Sequence, residues 1–162
     1  MSETTISPVG PLGMITLRGD HAVLAPAIDQ VLKAGMPAQR MMTRDDSSSI
    51  LWMSPDELLV ICDHGAAPGL ADDLRGALGG AFATVAVVSD ARVAFDIKGA
   101  GARDVIMRLS PVDFARLAPT EVRRTRLALI PAALWQIEDG IRVVCFRSVA
   151  DYALDLLSDA AA

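Results

Sequence analysis

Trp52-Met-Ser-Pro-Asp-Glu-Leu-Leu-Val-Ile-Cys62 and Trp135-Gln-Ile-Glu-Asp-Gly-Ile-Arg-Val-Val-Cys145 share one layout: tryptophan and cysteine ten positions apart, an acidic turn between them, and an apolar strand running into the cysteine. In the first stretch Ser54-Pro55-Asp56 joins strands at 49–53 and 57–62, since proline pre-sets φ and aspartate bonds its own backbone in a tight turn. In the second, Asp139-Gly140 between strands at 134–138 and 141–146 marks a hairpin, because both residues tolerate the positive φ of a type I′ turn.

Working outward, each hairpin is preceded by a strand and a helix and followed by a helix. Residues 13–18 read as a strand, and Asp20 caps a helix that puts Leu24, Ala27, Ile28, Val31 and Leu32 on one face until Gly35 and Pro37 stop it. After the first hairpin, Pro68 suits the opening turn of a helix carrying Leu70, Leu74, Ala77 and Leu78, ended by Gly79-Gly80 and followed by a short strand at 83–88. The order restarts at Arg92, where Val93, Phe95 and Ile97 alternate with Arg92, Asp96 and Lys98. Glycines 99 and 101 break that strand, and a helix with Ala102, Val105, Ile106 and Leu109 runs to Pro111. An irregular stretch to Arg124 leads to a strand at 127–130, the second hairpin, and a last helix capped by Ser148 that buries Val149, Tyr152, Ala153, Leu156 and Leu157. The fold class is α+β: two strand-helix-hairpin-helix units, each a small antiparallel or mixed sheet with helices on one face. The expected organisation is a flexible N-terminal tail at 1–12, a first unit at 13–89 and a second at 90–162, packed as one body.

Composition narrows the function. With 15 Lys and Arg against 20 Asp and Glu, the net charge of -5 opposes the counterion release that drives nucleic-acid binding. Cys62 and Cys145 lie in apolar runs, which argues against a disulfide framework or a C-x-x-C site and for small buried hydrophobes in a reduced, cytoplasmic protein. Residues 1–11 lack a basic segment followed by an apolar core, and no apolar run approaches the ~20 residues that span a bilayer, so neither export nor membrane insertion is expected. The hydrophobic fraction of 52% nevertheless exceeds the ~45–50% usual for a soluble domain, which points to apolar surface that another protein covers.

No catalytic or metal-binding constellation emerges. His21 and His64 are not spaced with carboxylates or cysteines as a ligand set, and Asp45-Asp46 and Asp72-Asp73 read as solvent-facing clusters rather than carboxylates held in a pocket. Gly99-Ala-Gly101 falls short of a phosphate-binding G-x-G-x-x-G because position 104 is Asp. Arg123, Arg124 and Arg126 form the densest basic patch, which suits an acidic partner or an anionic ligand as well as a solvated loop. Ser148 and Asp151 have capping-box spacing, and Asp151 complements the helix dipole; Arg147 and Tyr152 are left as further candidates for a partner or anion contact.

Five segments in order, Val88-Ser-Asp-Ala-Arg92, Gly99-Ala-Gly-Ala-Arg-Asp-Val105, Ser110-Pro-Val-Asp113, Leu129-Ile-Pro-Ala-Ala-Leu-Trp-Gln136 and Arg147-Ser-Val-Ala-Asp-Tyr152, resemble the gamma subunit family of heterotetrameric sarcosine oxidase. The resemblance covers residues 88–157, with the first half agreeing mainly in layout, and the chain departs from the family pattern at 107–109 and 123–125. It implies a fold like the folate-binding domains of glycine cleavage T-protein, ferredoxin-like in its units. It implies a non-catalytic role beside larger alpha and beta subunits and a small delta subunit, in an assembly that oxidatively demethylates sarcosine to glycine and passes the one-carbon unit to tetrahydrofolate. FAD, FMN, NAD and tetrahydrofolate then belong to the partner subunits and none to this chain. The isolated chain is expected to be inactive and prone to self-association. Two other readings compete with this one. A free-standing folate module would need an acidic residue facing a cavity, for which Asp96 and Asp113 are the candidates, and a lone sarcosine-family enzyme would need a Rossmann fingerprint and a nucleophile–base pair that the sequence lacks.

Overall fold

The computed structural model describes residues 4–162. The chain runs β1 (Thr5–Val9), β2 (Leu12–Arg18), α1 (His21–Val31), β3 (Met42–Arg44), β4 (Ser48–Ser54), β5 (Glu57–Asp63), α2 (Ala67–Leu78), β6 (Thr84–Val87), β7 (Arg92–Lys98), α3 (Ala102–Leu109), β8 (Arg123–Leu127), β9 (Ile130–Ile137), β10 (Gly140–Phe146) and α4 (Ala150–Ala161). It divides into two units: Pro11–Ser89, and Asp90–Ala162 with the described residues up to Gly10. Each is an antiparallel five-stranded sheet with two helices, as the α+β reading anticipates.

In the Pro11–Ser89 unit the strand order is β3-β4-β5-β2-β6. The β4–β5 hairpin closes at Ser54 and Glu57, so Pro55 and Asp56 make the turn; Ser54 Oγ donates to Asp56 Oδ1 at 2.6 Å. Asp20 caps α1 by accepting from the Ala22 N–H at 2.9 Å. Leu24 and Ile28 of α1 and Ala67, Ala71 and Leu74 of α2 pack on one sheet face against Ile15, Leu17, Ile50, Leu58 and Val60. Each of the larger side chains, shielded this fully, contributes about 1.5–3 kcal/mol. β3, three residues long, is too short to show an alternation and has no counterpart in the sequence reading.

The second unit has the order β1-β7-β10-β9-β8. Its core joins Phe95, Ile97, Leu134, Ile141, Val143 and Cys145 on the sheet to Val105 and Ile106 of α3 and Ala153 and Leu157 of α4. Reading β7, α3, β8, β9, β10 and α4 as β2, α1, β3, β4, β5 and α2, with β1 in the place of β6, reproduces the strand order of the first unit. The two cysteines also take matching places, Cys62 opposite Gly13 and Cys145 opposite Val93. The repeat inferred from the two quoted stretches therefore holds at the level of topology.

Five local expectations are corrected. Residues 5–9 are not a tail: β1 pairs antiparallel with β7 from Thr5 opposite Lys98 to Val9 opposite Ala94, while residues 1–3 lie outside the described residues. With only Ile6 and Val9 half-buried, this edge strand carries no alternating signal, and an edge is where Pro8 is tolerated. Residues 127–130 are not a strand but the end of β8, a turn at Ala128-Leu129 and the start of β9. Four consecutive apolar residues imitate a strand, whereas Ala128 takes a φ of 51° and its N–H donates to the Leu109 carbonyl at 2.7 Å.

In the β9–β10 hairpin the turn residues are Glu138 and Asp139, closed by Ile137 and Gly140, and neither Asp139 nor Gly140 has a positive φ. Gly140 is required for a different reason: a Cβ there would meet the Ile97 carbonyl oxygen at 2.0 Å. Finally, Arg147–Val149 form a 3-10 turn and α4 begins at Ala150 without a side-chain cap, so Ser148 does not cap it. The buried stripe of α4 is Ala153, Leu157 and Ala160, which leaves Leu156 half-buried and Tyr152 exposed.

Candidate functional site

The five residues singled out from the sequence do not converge. Arg123, Arg124 and Arg126 share β8, an edge strand rather than a loop. Arg123 is half-buried, with Nη2 2.6 Å from Glu121 Oε1, while Arg124 and Arg126 are exposed on alternate positions and Leu129 projects from the next turn at 86% exposure. Arg147 lies beyond β9 and β10 from this strand. Its Nε donates to the Asp90 carbonyl at 2.9 Å and its Nη2 to the Arg92 carbonyl at 2.8 Å, so it clamps the end of β10 to the start of β7. The neighbouring Arg92 guanidinium stacks over the Phe146 ring at 5.5 Å. Tyr152 stands exposed on α4.

Asp96, read as the polar side of a half-buried strand, is 5% exposed. The opposite face of β7 is buried as well, and Arg142, its register partner on β10, holds the carboxylate through Nε–Oδ1 at 2.7 Å and Nη2–Oδ2 at 2.9 Å. Asp113 accepts the Ala115 N–H at 3.0 Å in a local turn. Neither candidate carboxylate for a folate pocket is thus left facing a cavity on its own. His21 packs edge-on against Trp52, with ring centroids 6.3 Å apart. Among the described residues no His, Cys, Asp and Glu group is arranged to hold a metal ion.

A cleft of about 810 Å³ lies in the Pro11–Ser89 unit. Val31, Leu32, Leu70 and Cys62 supply its apolar lining; Asp45, Asp46, Asp63 and Asp73 surround it with Lys33. Asp45 is held at the β3–β4 turn by the N–H groups of Ser47 and Ser48, both at 2.8 Å, and by their hydroxyls. The Ser47 N–H is the chief cause of a carboxyl pKa lowered to about 2. Asp63 likewise accepts the Gly65 N–H at 2.9 Å. The sequence marks Asp45-Asp46 only as solvent-facing charge; the signal for the turn is Asp45 followed by Asp46-Ser47-Ser48-Ser49, a run suited to side-chain-to-backbone bonding.

The chain matches the model of the sarcosine oxidase gamma subunit family over residues 18–162. The chain belongs to that family. The sarcosine oxidase gamma subunit of an Arthrobacter species is 34% identical over 120 residues, covering 72% of this chain and 56% of that protein. The gamma subunit from Corynebacterium sp. strain P-1 is 30% identical over 151 residues, covering 88% of this chain and 70% of that protein. The chain therefore spans little more than half the length of the Arthrobacter relative. Among solved structures, a chain of the heterotetrameric sarcosine oxidase from Corynebacterium sp. U-96 matches 98% of this gamma-family chain and 83% of its own length, with TM-score 0.86 and 28% identity. The aminomethyltransferase T of the glycine cleavage system from Bartonella henselae, at 12% identity and TM-score 0.70, shares the fold.

Proposed function

We propose that this chain is a non-catalytic gamma subunit that supports oxidative demethylation of sarcosine to glycine by a heterotetrameric assembly. The observation that carries the reading is the backbone match, TM-score 0.86 over 98% of the chain, to a chain of a heterotetrameric sarcosine oxidase. The partners are the larger alpha and beta subunits and the small delta subunit. They bind FAD, FMN, NAD and tetrahydrofolate, and the one-carbon unit passes to tetrahydrofolate on them. The two buried, unpaired thiols, Cys62 and Cys145, fit a reducing cytoplasm. Arg124 and Arg126 on the β8 edge are the residues proposed to meet an acidic partner surface, with Arg123 paired to the Glu121 carboxylate, Arg147 holding backbone carbonyls and Tyr152 at the α4 surface.

The free-standing folate module is not favoured by any particular observation: Asp96 is engaged by Arg142 and Asp113 by its own turn. The test is co-expression of the tagged full chain with its candidate partner subunits, followed by purification, flavin absorbance and a sarcosine-dependent peroxide assay. A yellow, active assembly supports the subunit reading. A colourless single chain that binds tetrahydrofolate in calorimetry overturns it.

A further inference from the structure

We infer that the cleft in the Pro11–Ser89 unit is a docking groove for a basic segment of a partner polypeptide that brings an apolar anchor. This rests on the subunit reading and adds to it a surface and a contact chemistry.

Four separate stretches build the groove: Val31, Leu32 and Lys33 at the end of α1, residues 45–48 at the β3–β4 turn, Cys62 and Asp63 closing β5, and Ala66, Gly69, Leu70 and Asp73 at the start of α2. Its volume of about 810 Å³ accommodates several side chains, and Leu32, Leu70 and Cys62 offer them an apolar lining. The surrounding charge is one-sided, four carboxylates against the single Lys33 ammonium. Hydrogen bonds from their own turns preorganise Asp45 and Asp63, while Asp46 and Asp73 are exposed. Asp72, next to Asp73, is instead tied to Arg75 at 2.5 Å.

Gly69 forms part of one wall of the groove. It is the third residue of α2, and a Cβ at this position would meet nothing within 4 Å. Its absent side chain keeps that wall low. The carboxylates are spread around the groove rather than gathered on one point, and an open apolar lining with a negative surround suits a chain segment presenting Arg or Lys beside a buried hydrophobe. The charge has the wrong sign for a polynucleotide.

The experiment measures binding of the purified full chain to the assembled larger subunits, at low and high salt. It compares wild type, Gly69→Ala, Gly69→Trp, Asp46→Lys/Asp73→Lys and, as a reference surface, Arg124→Glu/Arg126→Glu. Gly69→Ala is expected to bind like wild type. Gly69→Trp, which fills the groove, and the double charge reversal are each expected to weaken binding roughly 10- to 100-fold at low salt, with the charge-reversal gap narrowing at high salt. Melting temperatures show which variants are folded, and the plug and the charge reversal test the groove independently. If wild type binds and both groove variants bind within about twofold of it, the groove inference is overturned while the subunit reading stands. Loss of binding confined to the β8 variant overturns it in favour of that edge. If wild type itself does not bind, the subunit reading fails and the groove inference with it.

Discussion

The guanidinium of Arg142 lies flat against the carboxylate of Asp96, two parallel hydrogen bonds of 2.7 and 2.9 Å joining residues that face each other on β10 and β7. Asp96 is nearly shielded from water, and Lys98 Nζ, at 3.9 Å, is a distant second cation. Removing Arg142 strands a desolvated carboxylate. Arg142→Met is expected to lower unfolding free energy by about 2–3 kcal/mol in urea titration, whereas Asp96→Leu/Arg142→Met restores stability to within about 1 kcal/mol of wild type. A single variant as stable as the wild type would show that the pair is solvated.

Two glycines separate backbone necessity from spare room. At Gly140 a methyl group would run into the Ile97 carbonyl at 2.0 Å and backbone atoms of the paired strand cannot retreat, so Gly140→Ala is expected to destabilise by about 2 kcal/mol or more. At Gly69 the methyl meets open space, and Gly69→Ala is expected to stabilise by roughly 0.5–1 kcal/mol. Differential scanning calorimetry of both checks the opposite signs; shifts in the same direction would refute the assignment.

The Asp45 carboxyl has a folded-state pKa of about 2 against 3.8 for the free side chain, chiefly through the Ser47 N–H. A depressed carboxyl pKa means that the ionised form favours the folded chain. This contribution is whole above pH 3.8, shrinks as the pH falls toward about 2, and vanishes below it. Carbon-detected NMR should place the Asp45 midpoint near 2, and Ser48→Ala should raise it by removing the Ser48 hydroxyl bond. A wild-type midpoint near 3.8 would mean that the turn bonds do not persist in solution.

Burial raises the thiol pKa of Cys62 and of Cys145 above the ordinary 9.0, with Asp63 adding to the shift at Cys62. Because the thiolate is the nucleophile, neither should react appreciably with iodoacetamide in the folded chain at mildly alkaline pH, and both should react at once in denaturant. Mass spectrometry of a time course gives the order: Cys62, which borders the groove, ahead of Cys145. Fast native labelling of Cys145 would contradict its place in the core.

The sequence alone determined what short-range physics writes into it. Helix periodicity and the Asp20 cap located α1, the Pro55-Asp56 turn located β4 and β5, and the repeated tryptophan-to-cysteine spacing marked two equivalent hairpins, from which the α+β class followed. The adjacency of Arg123, Arg124 and Arg126 was likewise legible, because it is adjacency along the chain. Tertiary structure decided everything that depends on residues far apart in sequence. β1 is a strand only because β7 accepts it, Gly140 is needed only because Ile97 passes beside it, and Asp96 changes from a surface charge to a buried one only because Arg142 arrives opposite. The groove belongs to the same class: its four segments are each unremarkable charge or apolar residues until the sheet and two helices bring them around one cleft. Local patterns encode the dihedral preferences and periodicities of single elements, whereas burial, register and shape arise from pairings that no window of the chain contains.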